Sequence, residues 1–262
     1  MNEWIQKSIE IANAPGYLDN LQQVYPVIQE AKREIPAEIK IELERIFKEE
    51  DNLTLIRSLL KLPKFPVKDP YVAFLRKRRG IFLEYNPLTV DRIAERIRSM
   101  GLEDVIVAIE EPKEFNRQIG TLFKRWLPKI GYPVLPETEF ELHEGIAFLQ
   151  GSNGQLREYA NSKLGCNLQK GPDLLAKTGN NYVVGEAKFL TDYGGHQNAQ
   201  FEDALRLLKD KSGKAIRIAI LDGVVWIKDR TKMYRTVCQS DEIILTALLL
   251  KDFLKSWRWM EK

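Results

Sequence analysis

The chain has 262 residues, 44% of them apolar and 29% charged, with 40 Lys/Arg against 37 Asp/Glu and a net charge of +3. This describes a globular chain with a sizeable core, not a disordered one, and no apolar run approaches the ~20 residues that a membrane helix needs. Two cysteines without CxxC spacing and two histidines argue against tetrahedral zinc and for free thiols in a reducing cytosol, so a hard cation held by oxygen is the metal to expect.

The opening "MNEWIQKSIEIANAPGY" carries acids and no long apolar segment, so no secretory signal is read there and a cytoplasmic, non-membrane protein is expected. The first half reads as mostly helical. Ile39, Leu43, Ile46 and Phe47 recur at helical spacing, and Ile56, Leu59 and Leu60 resume it after a break at Asp51-Asn52. "KLPKFPVKDP" is a loop by its prolines. Arg76, Lys77, Arg78 and Arg79 then crowd one stretch near Tyr71 and Phe74; such a patch suits phosphates, while the plainer reading is a solvated helix end. "NPLTVDRIAERIRSMG" is a helix that starts on Pro87 and stops at Gly101. "DVIVAIEE" fits either a strand or a buried helix, and "KEFNRQIGTLFKRWL" an amphipathic helix.

From residue 152 the character changes. Ser152 and Gln155 form a capping box for a helix that Gly165 stops. "PDLLAKTGNNYVVGEAKFL" reads as a hairpin turning at Thr178–Asn181, and "GGHQNAQFEDALRLLKD" as a helix with Phe201, Ala204, Leu205 and Leu208 inward. "AIRIAIL" and "VVWI" flank Asp222-Gly223 as a possible second hairpin, and "DEIILTALLLKDFLKSW" closes the chain as one helix. The expected fold class is α/β (α+β): a mixed central sheet flanked by helices, with a mostly helical N-terminal half. The boundary is drawn between a helical region 1–130 and a second region 131–262, with one compact domain as the alternative.

The chemistry gathers on the hairpin. Side chains alternate along a strand, so Tyr182, Val184, Glu186 and Lys188 share one face. Counting back from a turn centred on residues 179–180 sets Asp173 opposite the neighbourhood of Glu186. Two carboxylates on adjacent strands repel one another, and a divalent cation such as Mg²⁺, completed by water and phosphate, relieves that repulsion. Lys188 beside them can offset negative charge or orient water. Glu-x-Lys by itself is common on solvated strands; the apolar neighbours on both sides of Glu186 distinguish this one, because they bury it.

Pro172-Asp173 followed by Glu186-Ala187-Lys188 resembles the PD-(D/E)xK nuclease superfamily, and in particular its type II restriction endonucleases. The resemblance implies a restriction-endonuclease-like core and Mg-dependent, sequence-specific hydrolysis of double-stranded DNA to 5′-phosphate and 3′-hydroxyl ends. It makes Asp173 and Glu186 the ligands of Mg²⁺ (with Mn²⁺ as a substitute) and Lys188 the catalytic amine. It also implies an additional acid from the preceding helix, for which Glu158 is the candidate, and a homodimer acting on a two-fold site. Gln197, Asn198 and Gln200, which open the next helix, are candidate base contacts, since amides pair with adenine; a capped strand-to-helix link explains them equally. His196 reads as an ordinary hydrogen-bonded histidine. A repair or recombination nuclease of the same superfamily and a non-catalytic DNA-binding protein are the alternatives.

Overall fold

A computed structural model describes residues 2–27, 34–77, 81–111 and 118–257. Its contacts divide the chain into two compact units, one of residues 28–113 and one of residues 1–27 with 114–262. This division differs from a boundary at 130. The first helices, α1 (Glu3–Ala12) and α2 (Tyr17–Val24), put Trp4, Ile5, Leu21 and Val24 into the same apolar core as the sheet.

The smaller unit is helical: α3 (Ala37–Glu49), α4 (Asn52–Lys61), α5 (Val72–Lys77), α6 (Ile81–Tyr85), α7 (Pro87–Met100) and α8 (Leu102–Glu110). Asp51 caps α4, its carboxylate accepting from the Thr54 amide at 3.0 Å, while Glu50 takes the left-handed φ of 53° that ends α3. Pro87 begins α7 and Gly101 (φ 81°) ends it. The ambiguous apolar run before residue 111 is helix α8, because Val105 and Ile109, four apart, bury one stripe in this unit's core with Leu43, Ile46, Leu59, Ile93 and Ile97.

The larger unit continues with α9 (Ile119–Trp126), β1 (Val134–Leu135), α10 (Glu137–Leu142), β2 (Ile146–Leu149), α11 (Asn153–Leu164), β3 (Leu174–Thr178), β4 (Asn181–Leu190), α12 (Gly195–Lys209), β5 (Ile216–Gly223), α13 (Lys232–Cys238), β6 (Ile244–Leu245) and α14 (Leu250–Trp257). The strands form one six-stranded mixed sheet in chain order. β2–β3–β4 is antiparallel; β1 joins β2, and β5 and β6 follow β4, in parallel. Strand alternation feeds two cores. Leu174, Ala176, Val183 and Ala187 pack with Ile119, Leu122 and Phe123 of α9, while Leu175 and Val184 pack with Leu156, Tyr159 and Ala160 of α11. A sheet covered on both faces explains why its strands read as continuous apolar runs.

Two expectations are corrected. Asp222-Gly223 makes no second hairpin: β5 runs parallel to both neighbours, and residues 224–226 form a short 3₁₀ turn. Gly223 (φ 91°) turns the chain where an added Cβ would meet the Leu190 carbonyl at 2.0 Å, and the Trp226 indole folds back to donate to the Leu221 carbonyl at 2.6 Å. Nor is the C-terminal segment one helix. Ile244 and Leu245 pair with Ala219 and Ile220 as β6, and Thr246 caps the 3₁₀ turn that leads to α14. Covering the edge of β5 with two apolar strand residues outweighs their part in a helical stripe. No helix among the described residues is long and apolar enough to cross a membrane.

Candidate active site on the paired strands

A two-residue loop joins β3 to β4, with Thr178 paired to Asn181 and Gly179 supplying the positive φ (60°) that tight hairpins need. The ladder runs back from there to Leu174 and Gly185, and the Asp173 amide adds one more bond, to the Gly185 carbonyl at 2.9 Å. The register therefore sets Asp173 across from Glu186. Their side chains are 7% and 5% exposed as whole residues, too buried to stand uncompensated.

Compensation comes from amines and amides. Lys188 Nζ lies 2.5 Å from Glu186 Oε1 and 3.9 Å from Asp173 Oδ2, so one ammonium reaches both acids. Asp173 Oδ2 also accepts from the Ala187 amide at 3.1 Å, and Oδ1 from Asn153 Nδ2 at 3.0 Å. Asn153 is in turn held at its Oδ1 by Lys124 Nζ at 2.8 Å. Burial lowers the Lys124 ammonium below its ordinary pKa, against the opposing pull of the Asp173 charge. Lys170 makes a second contact to Glu186 Oε1 at 2.9 Å and lies 3.6 Å from Asp203. Burial alone would lower its pKa, but the hydrogen bond and charge of Glu186, with Asp203 beyond, hold it above the ordinary value. Gly120 of α9 comes close to Asp173: an added Cβ would sit 3.1 Å from Oδ1. A small cleft opens there, lined by Gly120, Thr121, Lys124, Arg125, Asn153 and Asp173.

The structure thus brings Asp173, Glu186 and Lys188 together. It places Glu158 elsewhere. That residue is exposed on α11 and lines a different cleft with Ser152, Gln155 and Ser162. Asn153 at the helix start approaches Asp173, and five residues further on the side chain has rotated about 140° round the axis. Among the described residues no three His, Cys, Asp or Glu side chains gather as a metal site. The donor set on the hairpin is two carboxylates, which fits an ion such as Mg²⁺ that takes few protein ligands and keeps several waters. It does not fit a metal that needs thiolate or imidazole.

The candidate DNA contacts fare unevenly. Gln197 is 2% exposed and donates to Thr191 Oγ1 at 3.1 Å, so its amide is turned inward and is not a surface base contact. Asn198 donates to the Tyr193 carbonyl at 2.9 Å, tying the helix to the loop before it, and Gln200 pairs with His196 at 3.1 Å. Arg76 donates to the Leu62 carbonyl at 3.1 Å, a structural contact, while Lys77 is exposed. Arg78 and Arg79 lie outside the described residues.

Asn153, Lys124 and Lys170 are absent from the sequence reading. Asn153 hid within a capping box whose other members account for themselves, and Lys170 stands two residues before Pro172 with no periodic partner. The position of Lys124 depends on how α9 packs, which no local pattern encodes.

The family model described as Tsp45I type II restriction enzyme matches residues 2–257. No curated protein and no solved structure matches the chain.

Proposed function

The chain belongs to the Tsp45I type II restriction enzyme family, and from that premise we propose that Asp173, Glu186 and Lys188 are its catalytic centre. As a site-specific deoxyribonuclease it hydrolyses phosphodiester bonds of DNA. The observation that carries the assignment is the single ammonium shared by two nearly buried carboxylates across one hairpin. Buried charges with a specific charge partner beside a cleft are the pattern that marks a functional-site candidate.

In this reading Asp173 and Glu186 hold a divalent cation, Mg²⁺ with Mn²⁺ able to replace it. When bound there, the cation supplies the Lewis acidity and positive charge that phosphodiester hydrolysis draws on. Asn153 and the Ala187 amide fix both oxygens of Asp173, so the carboxylate does not have to reorient during the reaction. Lys188 Nζ orients the attacking water and balances charge building on the phosphate. Attack in line with the leaving group gives 5′-phosphate and 3′-hydroxyl ends. Two copies of the chain, one per strand, match a two-fold duplex site.

The test is digestion of methylation-free DNA of high sequence diversity with Mg²⁺, comparing the wild type with Lys188→Ala. Discrete bands from the wild type, and retained duplex binding without cleavage in the variant, are expected. Undiminished turnover by Lys188→Ala would remove the role given to that amine.

A further inference from the structure

Charge in the smaller unit is divided by helix. Residues 57–98 carry eleven Lys/Arg against four Asp/Glu, whereas residues 34–51 carry seven acids against three bases and residues 102–111 carry four acids and no base. The acid-rich helices border the basic ones, α3 on α4 and α8 on α7. α3 packs on α8, with Lys40 of α3 bound to Glu110 of α8 at 2.8 Å, which sets two acid-rich helices side by side. α4 packs directly on α7, with α5 against α4 and α6 against α7. The proline loop after α4 is pinned among the basic elements: Arg76 donates to the Leu62 carbonyl at 3.1 Å, Arg92 pairs with Asp69 at 2.7 Å, and Arg96 donates to the Lys68 carbonyl at 3.4 Å.

Some of these cations have internal work. Lys64 is paired with Glu111 and Arg57 with Glu84, and Arg98 donates to the Phe47 carbonyl at 2.9 Å. Lys61 and Lys77 are exposed and have no ion-pair or hydrogen-bond partner among the described residues. Large apolar side chains stand out on α5, α6 and α7: Phe74 is 66% exposed, Tyr85 75% and Leu88 83%. Phe74 and Lys77, three apart on α5, set an exposed ring beside an exposed cation, which suits a ligand that presents sugars and phosphates together.

We infer that the α4–α7 side of the smaller unit docks the DNA duplex, with Lys61 and Lys77 on phosphates and Phe74 and Tyr85 against sugars or bases. A second copy of the chain is disfavoured as the occupant, because an isologous contact would set this cationic side against itself. The inference needs only DNA as the partner and does not depend on the roles given to Asp173, Glu186 and Lys188.

The test is binding of the full chain to a mixed-sequence duplex in EDTA, followed by fluorescence anisotropy over a range of salt concentrations. Non-specific affinity is mainly electrostatic, so the recognition sequence is not needed. Lys61→Gln with Lys77→Gln should weaken binding about tenfold or more and flatten the log–log salt slope by about 2. Arg45→Gln with Lys48→Gln on α3 removes the same charge from the acidic side and should leave the slope unchanged. Phe74→Ser with Tyr85→Ser should weaken binding about fivefold or more with little change in slope. The inference is overturned if the Lys61/Lys77 slope matches wild type, or if the two charge variants lose affinity equally. It is also overturned if the aromatic variant alters the sedimenting mass while binding DNA like the wild type, which would give this side to a second copy.

Discussion

Asp222 on β5 is more deeply buried than either hairpin acid, at 0% exposure against 7% for Asp173 and 5% for Glu186. Its surroundings are nonetheless of another kind. Tyr25 donates to Oδ2 at 2.9 Å, Thr246 to Oδ1 at 2.5 Å, and the Ala247 amide reaches both oxygens at 3.3 Å. No ion pair to it is found among the described residues. Neutral donors around a dry carboxylate leave burial as the dominant influence, and the Asp222 pKa is pushed up to about 6. Tyr25, stacked on Phe189 at 5.3 Å, is pushed up as well, first by burial and then by the Asp222 charge. At the hairpin, ammonium groups and a cleft take the place of hydroxyls and close packing. Burial alone therefore does not single out a candidate catalytic carboxylate; charged partners and an adjoining cleft do.

Changing the two centres should separate catalysis from stability. Asp173→Asn or Glu186→Gln should reduce cleavage by about 10³-fold or more, with the thermal midpoint lowered by no more than a few degrees. A fall in midpoint matching the loss of activity would make the hairpin acids structural. Asp222→Ala should do the reverse. It should cost about 3 kcal/mol in denaturant unfolding, because the Tyr25 hydroxyl and Ala247 amide lose their acceptor, while the folded fraction still cuts DNA.

The same comparison has a pH signature. Between about pH 4 and 6 native Asp222 holds a proton that the unfolded chain has released, so its contribution to stability falls as pH rises through that window. The decline amounts to up to about 3 kcal/mol, and Asp222→Asn should flatten it in unfolding curves taken from pH 4 to 7. Asn153→Ala should act on the hairpin alone. The metal concentration for half-maximal cleavage should rise about five- to tenfold, with duplex affinity unchanged. Gly120→Ala should have the smallest effect, about twofold in rate, since its Cβ would press on Asp173 Oδ1 from 3.1 Å and a few tenths of an ångström of relaxation would suffice.

Legibility in the sequence followed the range of the interaction. The pairing of Asp173 with Glu186 could be counted from the turn, because a tight hairpin propagates its register from Thr178 and Asn181 with no further information. The α11 boundaries could be read because the capping box and Gly165 are local signals. The parallel course of β5 could not, because Asp222-Gly223 looks like a hairpin turn until Leu190 and Trp226 are in place around it. Glu158 was chosen by residue type, yet helix phase brought Asn153 to Asp173 instead. The grouping of α1 and α2 with the sheet rests on contacts more than a hundred residues apart in the chain, such as Tyr17 with Gly223.

The loop at Gly179-Asn180 has a consequence for variation among related chains. Its residues can be exchanged for others that tolerate a tight reversal, but their number is fixed. One inserted residue, if absorbed by sliding β4 along β3, would turn Glu186 and Lys188 to the opposite side of the sheet from Asp173. Natural drift at this loop should therefore be rich in substitutions and empty of single-residue gaps, even though the tip itself touches neither acid.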